Sequence, residues 1–152
     1  MENGVILDEQ ITASSEKSSS HAARQGRLHY SKGPDTFGSW TAADSDLHQW
    51  LQVDLGSPYT KVTRVATQGR NGTNANQWVT MYKLQYGSNG VHFRYYREQG
   101  QTTSKVNRNL SHRNLLGLGT IFEGRVSRFD ACLYYLFACA RFFDTAPGFH
   151  CL

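Results

Sequence analysis

Trp50-Leu51-Gln52-Val53-Asp54-Leu55-Gly56 alternates: Leu51, Val53 and Leu55 are apolar, Gln52 and Asp54 between them are polar, and a Gly56-Ser57-Pro58 turn follows. Successive side chains of a strand point to opposite faces, so this period of two predicts a strand with one face buried and one wet. A second region reads the same way. Tyr82, Leu84 and Tyr86 alternate with Lys83 and Gln85, and Val91, Phe93 and Tyr95 alternate with His92 and Arg94. Gly87-Ser88-Asn89-Gly90 lies between the two runs and carries the residue types of a hairpin turn. Leu51, Val53, Leu55 and Leu84 are therefore expected in the core. Residues 61–68 are rich in Val and Thr, but Val62 and Val65 stand three apart, which predicts a strand interrupted by a bulge.

Composition agrees with an all-β chain. Its 152 residues fit one domain, with 39% hydrophobic and 18% charged residues and 14 glycines, a profile suited to short strands and many turns. The net charge of +4 comes from basic residues scattered along the chain rather than gathered into a stripe, so no nucleic-acid partner is expected. Residues 1–10 hold neither a basic leader nor an apolar run, so nothing in the chain itself directs it outward. The longest apolar run, 131–140, is far shorter than the roughly 18–20 residues that span a bilayer, and no membrane helix is expected. Cys132, Cys139 and Cys151 are odd in number and match no zinc spacing, so neither a disulfide framework nor a metal site is read from them.

Three long polar connections, 14–26, 42–49 and 69–77, separate the predicted strands, and long loops in a compact β domain are more often functional than idle. After Val106 the alternation stops and tryptophan disappears. Residues 131–143 are apolar almost all round, a pattern that fits neither an amphipathic helix nor a surface strand. A boundary near Val106 is expected, with 1–105 as one domain and 106–152 as an unrelated tail of uncertain structure.

Read in order, Ile11-Thr12-Ala13-Ser14-Ser15, Trp40-Thr41-Ala42, the Trp50–Gly56 strand, Val62-Thr63-Arg64-Val65-Ala66-Thr67-Gln68-Gly69-Arg70, Trp78-Val79-Thr80-Met81-Tyr82 and Tyr86-Gly87-Ser88-Asn89-Gly90 resemble the discoidin domain, also called the coagulation-factor type C domain. Each piece is weak alone; the order and spacing give them specificity. The resemblance implies an all-β fold, an antiparallel β-sandwich of the jelly-roll, galactose-binding-like class. The family's closing strands, its final Leu-Gly-Cys ending and its early cysteine are missing, so the sandwich is expected to be incomplete at its C-terminus. The family resemblance further implies an extracellular or cell-surface recognition module for glycans or proteins in cell adhesion, with no cofactor. The competing expectation is a non-functional, truncated or mispredicted product.

In the family three projecting loops form the ligand surface, and the resemblance maps them onto the polar stretches. The first carries Lys17, Ser19 and His21, the second Asp44, Asp46 and His48, the third Arg70, Asn71, Asn74, Asn76 and Gln77. Relatives that insert into anionic membranes carry aromatic or leucine residues on the tips, and here Leu47 alone is of that kind on these loops, so a membrane-lipid partner is expected less than a cell-surface glycan or extracellular protein. Ser, Asn and Asp are equally the residues of ordinary turns, which compete with any binding role. Trp40, Trp50 and Trp78 lie in the fold-defining motifs and are expected in the core rather than as stacking platforms. No nucleophile elbow, metalloprotease helix or phosphate-binding glycine loop is present, so no catalytic residue is assigned. Asp44, Asp46 and His48 lack the acidic loop of a calcium site and are not assigned a metal. Asn71-Gly72-Thr73 and Asn109-Leu110-Ser111 fit the N-glycosylation acceptor pattern. A glycan on Asn71 would obstruct the third loop.

Overall fold

The computed structural model describes residues 4–56, 62, 67–71, 76–104, 106–108 and 135–143. Its strands are β1 (Ile11–Ala13), β2 (Trp50–Asp54), β3 (Arg70–Asn71), β4 (Asn76–Gly87), β5 (Arg94–Tyr95), β6 (Val106–Arg108) and β7 (Tyr135–Phe143). All their pairings are antiparallel, in the order β1-β2-β7-β4-β3, with β5 and β6 also pairing β4. The expected all-β antiparallel class is what the chain adopts.

The strand with the clearest alternation carries the core. Leu51 and Val53 are buried while Trp50, Gln52 and Asp54 are only partly so. Register places Ile11 opposite Val53 and Ala13 opposite Leu51, so β1 and β2 present one continuous apolar face. Against it pack Ile6, Ala23, Trp40 and Ala42, with Leu55 at the margin. The second layer over β1 and β2 is therefore irregular chain, including the 3-10 turns Ser19–His21 and Ala23–Gly26. Two features hold this layer down. Gly26 lies against Leu51, where an added Cβ would meet Leu51 Cδ2 at 2.9 Å, and the Trp40 indole N–H donates to the Ser15 carbonyl at 2.9 Å. Leu84 is buried as expected. Trp40 is a core residue, Trp50 is half-buried, and the side chain of Trp78 lies outside the described residues.

The second predicted hairpin forms with a longer connection than its sequence suggests. Pairing starts at Tyr86 with Arg94 and continues at Gln85 with Tyr95, leaving 87–93 as the loop. Asn89 organises it: its side-chain oxygen accepts the Val91 and His92 amides at 3.1 and 2.9 Å. Two local bonds from one Asn favour the loop over two more ladder pairs. The alternating run 91–95 therefore gives strand only at Arg94–Tyr95; Val91 and Tyr95 are exposed and Tyr96 is buried. The bulge expected at 62–65 lies outside the described residues; an irregularity is found instead in β4, between Val79 and Met81.

Two strands follow the position where alternation stops, in the stretch whose structure the sequence left uncertain. β6 pairs Met81–Lys83, and β7 runs between β2 and β4, with Trp50 opposite Cys139 and Leu84 opposite Ala138. An apolar run without alternation carries no period that separates strand from helix. β7 occupies the inner edges of β2 and β4 that would otherwise be open to other chains.

Candidate functional site

The end of the sandwich that bears the first and third predicted loops is built by backbone bonds. Within the first loop the Ser18 carbonyl accepts the His21 amide at 2.9 Å and closes the Ser19–His21 turn. This turn is tied to the segment 36–41: the Phe37 amide donates to the Ser20 carbonyl at 3.1 Å, the Thr41 amide to the His21 carbonyl at 3.3 Å and the Lys17 amide to the Thr41 carbonyl at 2.8 Å. Beneath them Gln25 is fully buried, its amide donating to the Ser19 carbonyl at 3.3 Å while its oxygen accepts the Gly38 amide at 3.2 Å. Gly38 has φ +72, and a Cβ there would lie 2.8 Å from the Lys32 backbone nitrogen, so the sharp turn directly after Phe37 requires glycine. The third loop is anchored at its base. His29, itself at φ 54, donates its amide to the buried Gln68 side chain at 3.0 Å, two residues before Arg70.

The product of this scaffold is a cluster around Phe37. The rings of His21 and Phe37 stack with centroids 4.5 Å apart and planes 10° apart. The Arg70 guanidinium carbon lies 5.0 Å from the Phe37 ring centroid and the Lys32 ammonium 6.0 Å from it. Cations over an exposed ring face gain about 0.5–1 kcal/mol each, enough to bias side-chain positions without burying them. Ser18 Oγ lies 2.9 Å from His21 Nδ1. Partial burial, then the nearby Arg70 and Lys17 charges, hold the His21 imidazole below its ordinary pKa of 6.5. The carboxylate of Glu16 is engaged elsewhere, accepting the Ala23 amide at 2.6 Å.

The structure thus brings together Lys17 and His21 of the first loop and Arg70 of the third; Ser19 joins them through its carbonyl bond to Gln25. Phe37 and Lys32 were missed because both lie between predicted loops, in Ser31-Lys32-Gly33-Pro34-Asp35-Thr36-Phe37-Gly38. A single aromatic in so polar a stretch was the available signal. Phe37 is 41% exposed, so an apolar ring stands beside the predicted loops on a segment outside them. Arg70, Asn71, Asn76 and Gln77 are strand residues rather than loop residues: Arg70 pairs Gln77 and Asn71 pairs Asn76, while Asn74 lies outside the described residues. Asn109 also lies outside them.

The second loop is organised by turn chemistry. Asp46 Oδ1 accepts the His48 amide at 2.7 Å and the Gln49 side-chain amide at 2.9 Å, and Gln49 in turn accepts the hydroxyls of Ser14 and Ser15, both at 2.7 Å. Asp44 and His48 are exposed. The two bonds, led by the His48 amide, hold the Asp46 carboxyl below its ordinary 3.8. A depressed carboxyl contributes stability above its unfolded pKa and loses it as pH falls through the folded one. Asp46→Ala is therefore expected to melt earlier than the parent near neutral pH, with the difference closing as pH falls below 3.8; an unchanged gap in acid melts would contradict this. Among the described residues no group of three metal-ligating side chains forms, and no helix is long and apolar enough to cross a membrane.

Comparison with known proteins bears on what this geometry belongs to. Residues 10–117 match the F5/8 type C domain. The chain is 36% identical over 118 residues to human EGF-like repeat and discoidin I-like domain-containing protein 3, 38% over 109 residues to rat (Rattus norvegicus) lactadherin, and 34% over 116 residues to pig (Sus scrofa) coagulation factor V. Each alignment covers 70% of this chain but only 22%, 25% and 5% of those proteins, so the chain spans a quarter or less of their length. Two structures of discoidin II from Dictyostelium discoideum superpose with TM-scores of 0.64 and 0.62 at 18% and 19% identity, covering 91% of this chain and 50% of theirs. They share its galactose-binding-like β-sandwich. Matched over most of its length in sequence and in fold, the chain belongs to the F5/8 type C, or discoidin, domain family.

Proposed function

We propose that the chain is a non-catalytic extracellular recognition module that binds a cell-surface glycan or an extracellular protein in cell adhesion, through the end of the sandwich that carries Lys17, His21, Phe37 and Arg70. One observation carries this reading: the Phe37 cluster is assembled from three separate segments on a buried Gln25 support, yet Phe37 and Lys32 are exposed and Arg70 and His21 partly so. A rigid base under exposed polar and aromatic groups is how binding loops gain affinity without ordering costs. The division of the chain belongs to the same reading. Recognition resides within 1–105, and of the later residues Val106–Arg108 and Tyr135–Phe143 serve the sheet as β6 and β7.

Ser18 and His21 stand at nucleophile-to-base distance, but they are three residues apart on an exposed turn, and Glu16, the adjacent carboxylate, is bonded to the Ala23 amide. A hydrolase needs the base oriented by a third group and donors for an oxyanion, which this turn does not assemble. A second reading, anionic phospholipid, draws on the exposure of Phe37 and Leu47. It ranks below the first because Phe37 is stacked on His21 and flanked by cations rather than standing free as an insertion tip.

The test is binding of the chain to arrays of glycans and of extracellular proteins. The double variant Phe37→Ala, Arg70→Gln is expected to lose about tenfold or more in affinity, since exposed anchors of this kind are worth about 1–2 kcal/mol. Its melting temperature should stay near the parent's. Lys83→Gln, beside Tyr95 on β5, should bind as the parent does. Equal binding by the double variant would remove this end from the site.

A further inference from the structure

Resting on that reading, we propose that the cluster around Phe37 is a subsite for an anionic substituent on a glycan, a sulfate or carboxylate group, and that protonation of His21 tightens it in mild acid. Arg70 and Lys32 approach the Phe37 ring at 5.0 and 6.0 Å, and the backbones of Lys17 and His21 both bond Thr41, at 2.8 and 3.3 Å, which sets Lys17 beside the same turn. Lys17, Lys32, His21 and Arg70 therefore converge from the first loop, the segment 31–38 and the start of β3. The salt bridges found among the described residues all join Asp8 to Arg24 or Arg27, and Lys17 and Lys32 enter none of them. Sulfate and carboxylate accept two parallel bonds from a guanidinium, and lysine adds a mobile point charge. Phe37 offers apolar contact to the sugar ring beneath the charged group.

The glycan source is favoured over a membrane by the state of Phe37. Its ring is only 41% exposed, stacked on an imidazole and flanked by cations, all of which would have to be desolvated for insertion. A soluble anionic sugar meets the same groups without leaving water.

The pH dependence follows from what faces His21. Arg70 and Lys17 oppose its protonation, Ser18 Oγ contacts Nδ1, and the carboxylate of Glu16 in the same loop is bonded to the Ala23 amide. In the free protein the imidazole is therefore neutral above its ordinary 6.5 and takes up its proton only below that. A bound anion offsets Arg70 and Lys17 and favours the proton. Binding and protonation are linked, so affinity is highest below the free imidazole's pKa and falls as pH rises through that of the complex.

The experiment is calorimetric titration of the full chain with a fully sulfated heparin hexasaccharide, its desulfated counterpart, and phosphatidylcholine vesicles with and without phosphatidylserine. The sulfated sugar should bind about tenfold tighter than the desulfated one, weaken with added salt, and bind several-fold tighter near about pH 5.5 than near about pH 7.5. Arg70→Gln should abolish the sulfate preference. His21→Gln should keep that preference and lose the pH dependence. Both residues are at least partly exposed, and matching melts of parent and variants exclude unfolding as the cause. Equal affinity for sulfated and desulfated sugar, with Phe37→Ala still weakening both, would overturn the anion subsite and leave the recognition reading standing. Binding to neither sugar would overturn the anion subsite, and no binding on the glycan and protein arrays either would overturn the recognition reading as well. Tighter binding to phosphatidylserine vesicles than to the sulfated sugar would reassign the cluster to membranes, and a pH dependence that survives in His21→Gln would remove the imidazole from the account.

Discussion

Trp40→Ala is expected to cost about 3–5 kcal/mol of folding stability, the range for deleting a buried large aromatic. Trp40 is 3% exposed and packs in one cluster with Ile6, Ile11, Ala23, Ala42, Leu51 and Val53, so its removal opens a cavity between the irregular layer and the face of β1 and β2. It also removes the indole N–H donated to the Ser15 carbonyl, a bond that holds the base of the first loop to the core. Domains of this size hold only about 5–15 kcal/mol in total, so a large part of the folded margin goes. Trp40→Phe isolates the polar contribution more closely, because it keeps much of the packing and removes the indole N–H, at about 1–3 kcal/mol. Denaturant midpoints of the parent and both variants measure this. A Trp40→Ala cost below about 1 kcal/mol would mean that the irregular layer does not rest on this residue.

Gln25→Leu is expected to lose about 2–4 kcal/mol and, separately, most of the binding at the loop end. The side chain is fully buried, and it satisfies one backbone group on each side of the site: the Ser19 carbonyl beside His21 and the Gly38 amide beside Phe37. Leucine fills the volume but leaves the buried Gly38 amide without this acceptor and the part-buried Ser19 carbonyl without this donor, and the desolvation cost, chiefly of the Gly38 amide, is the larger part of the effect. Binding measured well below the variant's melting range distinguishes loss of the His21–Phe37 stack from unfolding. Gln25→Glu keeps the acceptor for Gly38 and should fall between parent and Gln25→Leu. A Gln25→Leu chain that is destabilised yet binds as the parent does would show that this amide supports the core and not the site.

Where one physical signal dominates, sequence was enough. Period-two alternation located β2 and placed Leu51, Val53 and Leu84 inside, because a strand with one buried face leaves no other register. The hairpin after β4 was found but its second strand is shorter than the alternation suggests, since Asn89 takes the Val91 and His92 amides and pairing starts only at Arg94. β7 was not foreseen, because an apolar run without alternation has no period that separates strand from helix and its partners, β2 and β4, lie far away in the chain. The site was legible in part. Lys17, His21 and Arg70 were singled out as loop residues, but nothing local says that Phe37 will stack on a histidine 16 positions earlier, or that a lone glutamine at 25 will be the buried support between them. These contacts are set by tertiary folding, and composition registers them only as polar loops.

The claim that the Phe37 end is the recognition surface is tested most directly by backbone amide NMR of the full chain, titrated with the strongest binder from the arrays. Shift changes are expected at Lys17 to His21, Phe37, Gly38 and Arg70, with Leu51, Val53 and Leu84 in the core unmoved. Changes centred instead on Lys83, Asn89 and Tyr95, with His21 and Phe37 silent, would contradict it.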